Sequence, residues 1–164
     1  MDPFTVETHI SAAPEEVFEY LADIANHAEF CDHYMVDWHL TREDPYGRGA
    51  GARFRVKAPL QRFNWADVTF AEVEPPYKIV ERGRGGKYNR IRMLGTYTLS
   101  PAASGTTRVQ FTFETEPVMP SDRLMDMLGG RSWTRRKAAK AMRRLRRILE
   151  EDRDRGKRAT VAAR

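Results

Sequence analysis

The side chains best suited to chemistry in this chain are its four histidines, its single cysteine and a few carboxylates, and their spacing is uninformative. His9, His27, His33 and His39 form no HExxH pair, and His33 and His39 stand six residues apart across a loop-to-strand junction, so no metal site is read from them. Cys31 is the only cysteine; it can make no internal disulfide and cannot supply a multi-cysteine site. The glycines of Gly47-x-Gly49-x-Gly51 and Gly83-x-Gly85-Gly86 resemble phosphate loops, but neither set follows a strand and opens a helix, and hairpin turns account for both. Glu72, Glu74, Asp122 and Asp126 offer no paired-carboxylate spacing, and there is no Ser-His-Asp order with an elbow motif. No cofactor is called for.

The elements that must position any site are far more legible. Phe4, Val6, Thr8 and Ile10 alternate with Thr5, Glu7 and His9, which is the pattern of a half-buried strand. Pro14 then suits a first helical position. Glu15 and Glu16 favour the positive helix end, and Val17, Phe18, Leu21, Ile24 and Ala25 make an apolar stripe. A short second helix is expected over 26–30. Six strand patterns follow. Tyr34, Val36, Trp38 and Leu40 share a face; Phe54 and Val56 oppose Arg53, Arg55 and Lys57; and Phe63 to Val73 alternates with a slip that signals a bulge or cover on both faces. Tyr77 to Arg82 leads through glycines into a hairpin. Ile91, Met93, Tyr97 and Leu99 oppose Arg90 and Arg92, and Val109, Phe111 and Phe113 oppose Arg108, Gln110 and Thr112.

After Pro117 and Pro120 the pattern turns helical, with an N-cap at Ser121 and Asp122 and an apolar series Leu124, Met125, Leu128, Trp133, Ala138, Ala141, Met142, Leu145, Ile148 and Leu149. Gly129-Gly130 inside it predicts a kink or a close packing contact, because glycine costs a helix interior about 1 kcal/mol relative to alanine. Residues 153–164 lose periodicity and read as a basic, flexible tail after a single domain spanning 1–152.

Charge is unevenly placed. Residues 131–164 carry 14 Lys and Arg against 4 Asp and Glu, whereas residues 1–130 carry 14 against 19. Arg135, Arg136, Arg143, Arg146 and Arg147 interrupt the apolar stripe and are assigned to the outer face of the last helix, open to a weak anionic partner. Without interleaved aromatics that face does not read as a nucleic-acid surface. No stretch approaches 18 apolar residues and the N-terminus lacks a signal-peptide pattern, so no transmembrane segment and a cytoplasmic location are expected.

The strand, the segment Ala12-Ala13-Pro14-Glu15-Glu16-Val17-Phe18-Glu19-Tyr20-Leu21-Ala22-Asp23-Ile24, the run of strands and the long last helix resemble the START-related polyketide cyclase/dehydrase-like (SRPBCC) superfamily over residues 3–150. That resemblance implies an α+β helix-grip fold: seven curved antiparallel strands around the C-terminal helix, two short helices closing one end, and an apolar cavity between sheet and helix. It also implies a hydrophobic ligand of lipid, polyketide or aromatic type, carried or transported, with cyclase or dehydrase chemistry left open. On this reading Trp38, Phe54, Trp65, Met93, Tyr97, Phe111 and Phe113, facing Leu124, Met125 and Leu128, line the cavity. Tyr97, Tyr34 and Asp67 are its candidate polar groups, and plain core packing is the competing account of the aromatics. The alternative function is an interaction protein of the ribosome- or quinone-associated type, with a vestigial pocket and a basic docking helix, to which the segment Asp23 to Cys31 has a loose likeness.

Overall fold

The computed structural model of the protein describes residues 1–58, 64–120, 124 and 129–161. The opening strand β1 (Phe4–Ile10) buries alternate residues as its pattern requires. It leads into α1 (Pro14–Ala22), where Pro14 occupies the first turn with Glu15 and Glu16. Asp23 ends α1 and starts α2 (Ile24–Cys31) by accepting a hydrogen bond from the Ala25 amide at 3.0 Å, so the second helix begins two residues earlier than expected. The strands β2 (Met35–Leu40), β3 (Gly51–Val56), β4 (Trp65–Glu74), β5 (Lys78–Gly85), β6 (Ile91–Pro101) and β7 (Thr107–Glu116) follow, then α3 (Arg131–Glu151) and a two-residue β8 (Thr160–Val161).

These strands form one open, curved sheet in the order β1-β7-β6-β5-β4-β3-β2-β8. It has eight strands rather than seven, because β8 adds itself in parallel to the edge of β2, pairing Thr160 with His39 and Val161 with Leu40. The remaining pairs are antiparallel. Helix α3 lies over the concave face at β1. Ala138, Ala141, Met142, Leu145 and Ile148 recur at helical spacing on its buried side. The kink expected at the glycine pair falls where α3 begins: Gly129 has φ +113°, a conformation only glycine adopts readily. The N-cap expected at Ser121 and Asp122 lies outside the described residues.

Two bulges alter the side-chain phase. In β2 the pairing shifts between Val36 and His39, where Asp37 takes φ +55°; Met35 and Trp38 then pack on the core and Val36 loses the inward place its parity assigned. In β4 the shift falls between Phe70 and Glu72, which locates the irregularity expected in this strand.

The tail corrects another expectation. Instead of fraying, residues 153–161 lie along α2. The Gly156 amide donates to the Glu29 carbonyl at 2.9 Å and the Ala159 amide to the Ala25 carbonyl at 3.0 Å. Arg155 pairs with the buried Glu29, which also accepts from the Tyr20 hydroxyl at 2.6 Å, and Arg158 pairs with Asp23. Ala159 is buried. A basic segment is held here because α2 and its N-cap present carboxylates to it.

Candidate functional site

Period-two alternation and register together decide what the concave face presents. From β7 come Val109, Phe111 and Phe113, paired with Leu99, Tyr97 and Gly95 of β6. On the next strand Ile79, Glu81, Gly83 and Gly85 stand opposite Tyr97, Gly95, Met93 and Ile91. Beyond them lie Phe70, Val68 and Ala66 of β4, and then Ala52 and Phe54 of β3. Toward α1 and α2 this face is sealed: Phe70, Ile79 and Leu99 have almost no exposure and pack with Phe18, Leu21 and Phe30. Toward the β5–β6 hairpin it opens. Met93, Phe113, Val68, Glu81 and Gly83 all point inward yet keep partial contact with solvent.

Glycines on this face make room for the side chains of their neighbours. A Cβ at Gly83 would stand 3.0 Å from the Met93 Cε and 2.7 Å from the Asp67 carbonyl oxygen, and one at Gly85 would lie 3.4 Å from the same Met93 Cε, so the methionine lies across both. A Cβ at Gly95 would come 2.5 Å from Oε1 and 2.7 Å from Cγ of Glu81. The carboxylate therefore occupies space that any larger residue at position 95 would take.

Glu81 was not among the sequence candidates, and it is the most unusual group of the concave face. Among the described residues it has no hydrogen-bond or ion-pair partner. Burial beneath the surface pushes its carboxyl from the ordinary 4.5 to about 7. Tyr97, Tyr34 and Cys31 lie within electrostatic reach. Both hydroxyls are raised well above the usual tyrosine range, chiefly by burial, and the Cys31 thiol is likewise raised by burial and hydrogen-bonded to Tyr34. All three are neutral at physiological pH. His27 completes the inner polar set from α2: its Nε2 is 2.8 Å from the Leu21 carbonyl, its ring lies edge-on to Tyr97, and burial lowers its pKa to about 4. Three neutral donors thus lie within electrostatic reach of one carboxylate.

The expected lining residues divide. Tyr97, Phe111 and Phe113 stand together on the concave face, with the Tyr97 and Phe111 ring centroids 4.5 Å apart. Met93 lies beside them, across the glycines. Phe54 is buried against Trp38, also at 4.5 Å, farther along the sheet. Trp65, which the family resemblance puts in the cavity lining, lies elsewhere. Its partner is Arg55, so it belongs to the convex face, 43 % exposed and beside His39. Asp67 likewise faces outward, in a bidentate pair with Arg53 at 2.7 and 3.1 Å. Leu124 is 54 % exposed, and Met125 and Leu128 lie outside the described residues. Tyr34 is buried near Tyr97 and packs edge-on to Trp133.

The other histidines serve locally. His33 Nε2 contacts the Lys137 carbonyl at 3.2 Å and His9 is exposed opposite Arg108. Among the described residues no three His, Cys, Asp or Glu side chains converge as a metal set would require. Arg135, Arg136, Arg143, Arg146 and Arg147 are exposed, as assigned. Arg144 instead turns inward to Asp32 and to the Glu29 and Asp154 carbonyls. No helix among the described residues is long and apolar enough to cross a membrane.

Solved structures share this architecture. Truncated norcoclaurine synthase from Thalictrum flavum superposes with a TM-score of 0.70 at 13% identity, covering 92% of this chain and 94% of its own. A protein from Thermus thermophilus gives 0.67 at 16% identity, covering 90% and 97%. A conserved protein from Geobacillus kaustophilus gives 0.65 at 16% identity, covering 96% and 99%. At such identities the likeness is one of fold, the helix-grip arrangement. No curated protein sequence matches the chain. A family model described as polyketide cyclase / dehydrase and lipid transport matches residues 1–150, nearly the whole length, and the chain belongs to that family.

Proposed function

We propose that this protein binds a hydrophobic small molecule of lipid, polyketide or aromatic type in the hollow between the sheet and α3, acting in the cytoplasm. The observation that carries this reading is the end of the concave face at the β5–β6 hairpin, where the inward side chains Val68, Glu81, Met93 and Phe113 stay partly exposed instead of being sealed by the helices. A sheet that only packed a core would bury those side chains fully, since interiors are filled to crystal-like density. Apolar walls with a few polar groups are the usual form of a small-molecule site. Glu81, with its pKa near neutrality and with tyrosine hydroxyls nearby, has the properties of a proton-transfer group, which supports cyclase or dehydrase chemistry within the same hollow. The vestigial-pocket alternative has less support, because a disused pocket has no need of an unpaired inward carboxylate.

The test is saturable uptake of an environment-sensitive apolar dye by the folded protein. Tyr97→Ala and Met93→Trp should each change the dye's affinity while leaving the circular dichroism spectrum intact. Absence of saturable binding to the folded wild type would reduce the concave face to packing.

A further inference from the structure

We infer that the ligand of this hollow carries a basic amine and that the carboxylate of Glu81 is its ion-pair partner. The inference rests on reading the hollow as a ligand site and adds the ligand's chemistry to it.

Register turns Glu81 inward, between Phe70 on β4 and Gly95 on β6. Its place is built rather than incidental, since Gly95 leaves the volume its side chain fills. Within that volume the carboxylate is without a partner among the described residues. The titratable groups within electrostatic reach of it are the hydroxyls of Tyr34 and Tyr97 and the thiol of Cys31, all neutral. Arg144, an arginine turned into the protein, is already taken by Asp32 and two carbonyls. Partial removal of a carboxylate from water without a cation still carries a cost, and a positive partner or a bound proton recovers it. A ligand ammonium supplies the positive partner.

A neutral ligand does not explain the choice of residue. A carbonyl could be met by the tyrosine hydroxyls already present, and a neutral hydrogen-bond donor could be met by glutamine, which carries no penalty of ionisation. The ring pair Tyr97 and Phe111 on the same face also suits a cation, because aromatic faces attract ammonium groups.

The experiment is calorimetric titration of the full chain at pH 8 with 4-phenylbutylamine, with the isosteric 4-phenylbutan-1-ol and with 4-phenylbutan-2-one, repeated on Glu81→Gln and Glu81→Leu. Wild type should bind the amine about tenfold more tightly than the alcohol. Both variants should bring that ratio to within about twofold while holding the alcohol's affinity, which also shows that the hollow is intact. Equal affinity of amine and alcohol in wild type, or a preference that survives in both variants, overturns the inference. So does a ketone that loses more than the amine on Glu81→Gln, since the carboxyl would then be a donor to a carbonyl. If folded wild type binds none of the three, the ligand-site reading itself falls and this inference with it. Binding of the alcohol alone removes only the amine.

Discussion

Replacing Glu81 by glutamine should stabilise the fold at pH 8 and leave it unchanged at pH 4. The carboxyl titrates at about 7 in the folded chain and at an ordinary 4.5 in the unfolded one, and the cause is burial. Between those values the folded state holds the proton and the unfolded state does not, so wild-type stability falls as pH rises through the window. A gap of that size corresponds to about 3 kcal/mol above pH 7, an upper bound because the side chain retains some contact with solvent. Glutamine keeps the shape and removes the ionisation. Tyr34, Tyr97 and Cys31, within electrostatic reach of the carboxyl, stay neutral throughout and do not contribute. His27 does contribute, with opposite sign: buried and neutral down to about 4, it makes stability rise with pH between 4 and its ordinary 6.5. The two slopes oppose each other in wild type. Taking variant minus wild type cancels the histidine. Urea unfolding followed by tryptophan fluorescence at intervals from pH 4 to 8 should give a difference near zero at pH 4, growing to about 2 to 3 kcal/mol at pH 8 with equal m-values. A difference that does not vary with pH, or one that grows toward acid, refutes the placement of Glu81 in a water-poor interior.

Gly95→Ala should cost about 1 to 3 kcal/mol in urea unfolding and weaken amine binding, since its Cβ would stand 2.5 Å from Glu81 Oε1 and displace the carboxylate. Arg144→Ala should cost about 2 to 3 kcal/mol, because it strips Asp32 and the Glu29 and Asp154 carbonyls of a mostly buried charged donor; a thermal midpoint within a degree of wild type would contradict that. Deleting residues 153–164 should lower stability by about 1 to 3 kcal/mol, because Glu29 loses Arg155 and α2 loses the amide donors of Gly156 and Ala159, and an unchanged midpoint would show the tail to be dispensable. Arg136→Glu with Arg143→Glu should leave dye uptake unchanged, because both side chains lie on the outer face of α3; lost uptake with the fold intact would place that face in the binding site.

Where a residue's environment depended on local period alone, it was legible in the sequence. The alternation of β1, β3, β6 and β7 sorted Phe54, Met93, Tyr97, Phe111 and Phe113 from the arginines opposite them, and Pro14 with two glutamates marked a helix start. The stripe Ala138, Ala141, Met142, Leu145 and Ile148 likewise marked the buried side of α3. A one-residue slip in any of these would bury charge, so only one phase is physically tolerable. Elsewhere the phase was a tertiary matter. Ile79 and Val80 are both apolar and both buried, which leaves Glu81 unassigned until pairing with Gly95 turns it inward. Trp65 and Asp67 alternate with Ala66 and Val68, too small a contrast to say which pair faces the core, and pairing with Arg55 and Arg53 sends the tryptophan and the aspartate outward. The bulge at Asp37 breaks parity in a way no local pattern announces. The tail is ordered by Glu29 and Asp23, more than a hundred residues away, and sequence periodicity cannot register a charge pairing at that distance.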